Sequence, residues 1–160
     1  MHGSDGLDAF DRRLLAALQA DASRSNQALG ESVGLSASQV SRRRARLEAA
    51  GIVRRYRAEL APRRLGLDVT AFVHVGLSAH SPGNAERFRD LVARVPEIQE
   101  AHAVTGDTDY LLKIVVTDLA ALSALVNGVL LPHEAVAHVR SAIALETLKD
   151  GGELPLGSPA

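Results

Sequence analysis

Apolar residues in the first third of the chain recur every three or four positions, which is the spacing of helices with one buried face. The first helix is predicted over residues 9–20, and its buried face would be formed by Leu7, Phe10, Leu14, Leu15 and Leu18. Asp8 fits the N-cap of this helix, and Asp11 places an acid in its first turn.

The next apolar stretches predict two short helices separated by a glycine turn. The first begins after Ser25 or Asn26 and ends at Gly34, because glycine tolerates a left-handed backbone. The second is capped by Ser36 and stops at Gly51. Two helices joined in this way are typical of a helix-turn-helix.

A short strand is predicted directly after these helices, within a hinge segment of residues 53–67. As the wing of a winged helix-turn-helix, it would bring Arg54 and Arg55 to a nucleic-acid backbone. A plain interdomain linker explains the same residues equally well.

The second half changes to alternating strand and helix patterns. Strands are predicted over residues 69–78, 98–105, 110–117 and 136–148, with a helix around Phe88 and another capped by Asp118. The order βαββαβ is that of a ferredoxin-like domain. The predicted fold class is therefore α+β: an N-terminal winged helix-turn-helix joined by a hinge strand to this C-terminal domain.

The third predicted strand is apolar on both faces, although the helices of such a domain cover only one face of the sheet. A homodimer that stacks two sheets would cover the other face, and it would present two helix-turn-helix units to a two-fold symmetric DNA site. The alternative is a short exposed face that is simply tolerated.

Charge distinguishes the two halves, although the net charge is only -1. Residues 1–67 hold twelve Arg against seven acids, and residues 68–160 hold six basic residues against twelve acids. The absence of Cys excludes disulfides and thiolate zinc sites, and five aromatics are few for stacking single-stranded bases. The basic half is therefore the candidate for binding double-stranded DNA.

Polar and basic side chains are concentrated on the third helix and just after it. The candidate DNA-binding residues are Ser36, Ser38, Gln39, Arg42, Arg43, Arg46, Arg54 and Arg55. Arg pairs with guanine, Gln with adenine and Ser with either base, and Arg also binds phosphates. The alternative is an ordinary solvated helix face.

These residues together resemble the leucine-responsive and asparagine-responsive (Lrp/AsnC) family of bacterial transcription regulators, over about residues 7–156. The matching motifs are Leu7, Asp8 and Asp11; Gly34 to Ser36, Val40, Arg43, Arg46 to Glu48, Gly51, Ile52 and Tyr56; Leu65 and Gly66; Thr105 to Asp107, Asp109 and Tyr110; Leu148 and Lys149; and Leu154 to Leu156. The resemblance implies a C-terminal domain that dimerises and often assembles into octamers, and that binds a small effector, commonly an amino acid, between C-terminal domains at contacts between dimers.

The loop at residues 105–110 matches the family's effector loop. The candidate effector-binding residues are Thr105, Gly106, Asp107 and Asp109. Gly106 would let a ligand approach the backbone, and either aspartate could accept a hydrogen bond from an α-ammonium group. A β-turn joining two strands is the alternative.

The sequence departs from the family pattern at Arg44, where an apolar residue is usual, and at Gly30, where alanine is usual. An arginine on the buried face would extend its stem toward solvent or take an additional phosphate. Gly30 is expected to cost helix stability of up to about 1 kcal/mol relative to Ala.

The predicted organisation is a tail at residues 1–6, a DNA-binding domain at 7–52, a hinge at 53–67, a sensing and oligomerisation domain at 68–150 and a tail at 151–160. We expect a cytoplasmic regulator without metal or cofactor, whose partners are double-stranded DNA, further copies of itself and a small effector. Two alternatives are a sirohaem decarboxylase-like enzyme on the same scaffold, given five His in the acidic half, and an architectural DNA compactor.

Overall fold

The chain forms two units, Met1–Glu59 together with Lys149–Ala160, and Leu60–Leu148. The structure, a computed structural model, describes residues 6–78 and 82–156. Most of the predicted N-terminal tail and the end of the predicted C-terminal tail lie outside the described residues.

Three helices make up the first unit: α1 (Ala9–Ala20), α2 (Asn26–Val33) and α3 (Ala37–Ala49). Ser25 caps α2 by accepting from the amide of Ala28. Gly34 and Gly51 follow α2 and α3 with φ of 77° and 69°. The three predicted helices are therefore confirmed. They could be predicted because helix caps are local and depend little on the rest of the fold.

The core of the first unit is small. Its buried residues come from all three helices and are Leu14, Leu15, Leu18, Leu29, Val40 and Leu47. Leu156, from the C-terminal segment, packs against the same cluster. This segment therefore belongs structurally to the helix-turn-helix unit, which its position in the sequence does not indicate.

Gly30 allows the turn between α2 and α3 to approach closely. A Cβ atom at this position would lie 2.3 Å from the carbonyl oxygen of Leu35, a backbone atom that cannot rotate away. The amide of Leu35 also donates to the carbonyl of Gly30 at 2.9 Å. The close turn therefore offsets the helix-propensity cost expected for this glycine, because the methyl group of an alanine would force the turn to move.

The strand predicted after α3 is not formed in the single chain. Residues 54–61 have no regular secondary structure and are exposed, and a 3₁₀ turn follows at Pro62–Leu65. A strand requires a neighbour for its backbone hydrogen bonds, and no other segment of the described chain supplies one here.

The second unit has the predicted βαββαβ order. Its elements are β1 (Val69–Leu77), α4 (Pro82–Arg94), β2 (Ile98–Ala103), β3 (Tyr110–Val116), α5 (Leu119–Leu125), which continues as a π-helical turn (Val126–Leu130), and β4 (Val136–Ile143). The strands pair antiparallel in the order β2-β3-β1-β4. This arrangement confirms the ferredoxin-like prediction.

The two faces of this sheet differ. Both helices contribute to a core on one face, with Val73, Leu112 and Ile114 fully buried. The opposite face carries alternate residues of the same strands, among them Phe72 and Lys113, which are register partners. Phe72 is 39% exposed, so this face leaves apolar surface uncovered in the single chain.

The last strand is shorter than predicted, ending at Ile143 instead of residue 148. The amide of Ala144 still donates to the carbonyl of Thr70, near the start of β1. Further pairing would need partner residues before Val69, where the chain turns at Gly66 with φ of 75°. β4 therefore ends where its neighbour β1 begins, although the sequence after Ile143 is still apolar in places.

Candidate nucleic-acid interface and effector loop

A capping box fixes the beginning of α3. The hydroxyl of Ser36 accepts from the amide of Gln39 at 3.2 Å, and the side-chain oxygen of Gln39 accepts from the amide of Ser36 at 2.8 Å. The hydroxyls of Ser36 and Ser38 lie 3.1 Å apart. Two predicted base-reading residues thus also hold the helix end, and the NH₂ group of Gln39 is not consumed by the cap.

Four of the predicted DNA-binding side chains lie together on one surface of α3. They line a shallow depression of about 330 Å³ and are Gln39, Arg42, Arg43 and Arg46. Arg54 and Arg55 are exposed in the irregular segment after α3 and are not among the residues lining this depression.

Arg43 and Arg46 are bound by the N-cap residue of α1 and by an acid in its first turn, a group that we call the ionic clamp (Asp8, Asp11, Arg43 and Arg46). The Arg43 guanidinium lies 2.7 Å from a carboxylate oxygen of each aspartate, and Arg46 pairs with the second oxygen of Asp11. Asp11 is fully buried, whereas the Arg43 and Arg46 side chains keep 24% and 55% of their exposure.

Protonation equilibria agree with this geometry. The backbone amide of Asp11 and then the Arg43 guanidinium lower the pKa of Asp8 below its ordinary value, because both stabilise the carboxylate. Hydrogen bonds to Asp11 and Asp8 raise the pKa of Arg43. Asp8 and Arg43 therefore stay ionised at neutral pH, and their ion pair holds α3 against the start of α1.

Arg44 remains within the first unit instead of extending into solvent. Its guanidinium donates to the side-chain oxygen of Asn26 at 2.9 Å and lies 5.0 Å from the ring centre of Tyr56. The Tyr56 hydroxyl in turn donates to Glu48, and burial followed by this bond raises the Tyr56 pKa. Tyr56, in the irregular segment that follows α3, thus supplies an aromatic partner that helical spacing alone did not reveal.

The candidate effector loop joins β2 to β3 and is anchored to the end of β1. The amide of Asp109 donates to Val75, and its carboxylate accepts from the amide of Leu77 at 2.7 Å. Thr105, Gly106 and Asp107 are exposed, and Gly106 has a φ of 117° that favours glycine.

The four predicted effector residues therefore do not share one environment. Asp109 stabilises the loop itself, whereas Asp107 is turned to solvent. Thr108, in the same loop, was not among the predicted effector residues. It is buried, and its hydroxyl oxygen lies 3.4 Å from a ring nitrogen of His74.

Other kinds of site find no support in the described residues. Over residues 6–78 and 82–156, no group of three or more His, Asp or Glu side chains could hold a metal ion. Within the same part of the chain, no helix is long and apolar enough to cross a membrane.

Comparison with known proteins identifies both units as parts of one family. Residues 7–48 match the AsnC-type helix-turn-helix domain, and residues 70–154 match the Lrp/AsnC ligand binding domain. The fold and the basic helix thus define a helix-turn-helix regulator with an attached ligand-binding domain.

Individual relatives lead to the same conclusion. The chain is 38% identical to the leucine-responsive regulatory protein of Rhizobium meliloti, over 94% of this chain and 96% of the relative. The identity to the Escherichia coli K12 protein of that name is also 38%, over 92% and 90%.

Solved structures agree in fold along nearly the whole chain. A transcriptional regulator from Neisseria meningitidis, solved as a complex with L-Met, is 39% identical with a TM-score of 0.90 over 94% of this chain and 97% of that one. An AsnC family regulator from Agrobacterium tumefaciens is 37% identical with a TM-score of 0.88 over the same shares.

This chain belongs to the Lrp/AsnC family of transcriptional regulators. Its relatives are regulators and not enzymes, so the decarboxylase alternative is rejected.

Proposed function

We propose that this regulator binds pseudo-palindromic double-stranded DNA in a sequence-specific manner, with α3 as the recognition helix. The observation that supports this most directly is the basic depression on α3, where Gln39 and three arginines share one exposed surface. Arginine and glutamine are the side chains that read guanine and adenine edges in the major groove.

The proposed contacts divide by chemistry. Ser38, Gln39 and Arg42 are proposed to read bases, since they lie in the first turns of α3, the end of a recognition helix that usually contacts base edges. Arg46, Arg54 and Arg55 are proposed to bind phosphates. Ser36 and Arg43 are also proposed to contact DNA, while Ser36 caps α3 and Arg43 remains paired with Asp11.

We further propose that the protein acts as a homodimer or a higher assembly such as an octamer. The sheet face with Phe72 leaves apolar surface uncovered in the single chain, and the exposed segment at residues 54–60 has no strand partner among the described residues, and both features support a contact between copies. A two-fold dimer would match a pseudo-palindromic site.

The proposed effector is an amino acid bound in the C-terminal domain through the loop of Thr105, Gly106, Asp107 and Asp109. The solved Neisseria meningitidis relative is a complex with L-Met, which makes methionine the first ligand to test. The protein would act in the cytoplasm, where its DNA target and free amino acids meet.

In vitro selection from a random duplex library tests the DNA proposal. We expect enrichment of a two-fold symmetric sequence that binds more tightly than random duplex at fixed salt. An equal affinity for both duplexes would favour the architectural compactor instead.

Salt dependence then tests the residues. Arg42→Ala should lower the salt slope by about 0.9 if this arginine neutralises one phosphate, or reduce the preference for one base pair if it reads a base. Arg89→Ala on α4 is the matched control, since Arg89 is an exposed arginine of the acidic unit. Identical binding by both variants and the wild type would reject α3 as the recognition helix.

Calorimetric titration with L-methionine and a panel of other amino acids tests the effector loop. Asp107→Ala should weaken binding severalfold, whereas Asp90→Ala, which removes an exposed acid from α4, should not. Binding that is unchanged in Asp107→Ala would remove this residue from the site.

A further inference from the structure

The C-terminal segment after the sensing domain makes specific contacts with α1. Gln19 bonds the main chain of Leu154 in both directions: its Nε2 donates to the carbonyl at 3.2 Å, and its Oε1 accepts from the amide at 2.8 Å. These two hydrogen bonds resemble the pair that two opposite residues exchange in an antiparallel sheet.

Two more contacts fix the end of the same segment. Arg12 Nη1 donates to the carbonyl oxygen of Leu156 at 3.0 Å, and the Leu156 side chain packs against the core of the first unit. The side chain of Leu154 is 70% exposed, so only its backbone is recognised.

These contacts define the kind of peptide that fits. The polar groups of α1 recognise an extended backbone, and one apolar site takes a leucine two positions after the residue held by Gln19. Pro155 lies between them and favours an extended conformation at Leu154. Arg12 and Gln19 are seven residues apart, which places them along one face of α1.

The helix that receives this segment also holds the recognition helix. Asp11 precedes Arg12 directly and binds Arg43 and Arg46 of α3 through the ionic clamp. In the other direction, the segment is continuous in sequence with β4, the last strand of the ligand-binding domain.

We propose that α1 carries a reversible docking site for the chain's own segment 153–156, and that docking sets the position of α1 and, through Asp11, of the basic side chains on α3. The ligand-binding domain thereby has a second connection to the recognition helix, in addition to the linker after α3. The part concerning α3 rests on the proposed DNA-binding function, whereas the docking site does not.

Hydrogen exchange of the full-length protein tests the docking site without DNA. Gln19→Ala removes the acceptor of the Leu154 amide and should accelerate exchange of that amide at least tenfold. Gln27→Ala is the matched control, because Gln27 is an exposed glutamine of α2 whose side-chain amide donates to Glu31 on the same helix. Equal exchange in both variants would overturn the docking site.

A pair of leucine variants tests the apolar contact. Leu156→Ala should lower the melting temperature of the first unit by roughly 4 °C or more, whereas Leu154→Ala should change it by less than about 1 °C. Leu156→Met should restore most of the loss, since methionine adapts to irregular apolar sites.

The effect on α3 is measured as a ratio of affinities. For Leu156→Ala, the affinity for the selected duplex relative to random duplex should fall about fivefold, the low end of typical coupling between sites. A merely structural role would reduce the folded fraction equally for both duplexes and leave this ratio unchanged, which would overturn the coupling.

The two proposals fail in distinguishable ways. If the wild type shows no preference for any duplex, sequence-specific DNA binding is rejected and the coupling to α3 is rejected with it. The exchange and melting results still decide the docking site in that case.

Discussion

The two units of this regulator are held together by different means. Among the described residues, the connected cluster of buried apolar side chains has six members in the helix-turn-helix unit, all from three short helices, and thirteen in the sheet unit. In the smaller unit, the ionic clamp and the docked C-terminal segment add to the packing.

This difference suits the two roles. Polar contacts such as those of Asp11 have a required geometry, and they fix the orientation of the arginines proposed to contact DNA, whereas apolar packing is non-directional. The sheet unit instead uses apolar packing on one face and leaves apolar surface on the other face uncovered in the single chain. The following changes test how far the smaller unit depends on its polar contacts.

Removal of the buried acid should have the largest effect. Asp11→Ala leaves Arg43 without one carboxylate and Arg46 without its partner, and we expect the first unit to lose about 2–3 kcal/mol of unfolding free energy. This is less than for a fully buried pair because both arginines retain access to water. Peptide-resolved hydrogen exchange measures this loss of stability. We expect faster exchange in residues 7–50 and no change in residues 69–143.

Glu31→Ala is the control for this experiment, since it removes an exposed acid from α2. If Asp11→Ala were no more destabilising than Glu31→Ala, the clamp would have no part in the stability of the unit.

The close turn in the first unit should give a smaller effect. Gly30→Ala places a methyl group against the Leu35 carbonyl, and overpacking of about 1–3 kcal/mol outweighs a helix-propensity gain of up to about 1 kcal/mol. We expect a net loss of about 1 kcal/mol in chemical denaturation. Gly128→Ala in the second unit, where nothing lies within 4 Å of the added carbon, should be neutral or stabilising. A stabilised Gly30→Ala variant would contradict the close approach.

The pH dependence of the clamp should be the smallest effect. Because the folded state lowers the pKa of Asp8, its charge contributes stability above its ordinary pKa of 3.8, and this contribution is lost as the pH falls below that value toward the lowered pKa. Asp8→Asn keeps an N-cap side chain but not the charge. The stability difference between wild type and variant, below about 1 kcal/mol for this half-exposed group, should be present at pH 6 and should shrink on acidification. A difference that stays constant between pH 6 and pH 2 in thermal melts would contradict this role.

Much of the architecture could be predicted because it depends on local patterns. Ser25, Ser36 and Asp118 cap helices through bonds to amides three residues away, and such caps need no tertiary partner. The alternation of apolar residues likewise predicted the strands that pair in the sheet. Two strand predictions failed, the short strand after α3 and the extension of the last strand to residue 148, because each depends on the presence of a neighbouring strand, which is not a local property.

The sequence predicted which residues form the candidate DNA-binding surface better than it predicted what each side chain contacts. Gln39, Arg42, Arg43 and Arg46 do lie on one surface, because helical spacing alone brings them there. That Arg43 and Arg46 are neutralised by α1 depends on contacts between residues more than thirty positions apart. In the effector loop, the same applies to Asp109, whose carboxylate accepts from Leu77 on another strand.

By itself, the sequence determined the two domains, the order of their helices and strands, the basic character of α3 and the family to which the chain belongs, since all of these follow from local periodicity, caps and motifs. Only the tertiary structure decided that Arg44 pairs with Asn26 and Tyr56, that Gly30 permits a close turn, and that the C-terminal segment docks on α1. Each of these contacts joins segments whose distance in space no local pattern encodes, so the partners become known only when the chain is folded.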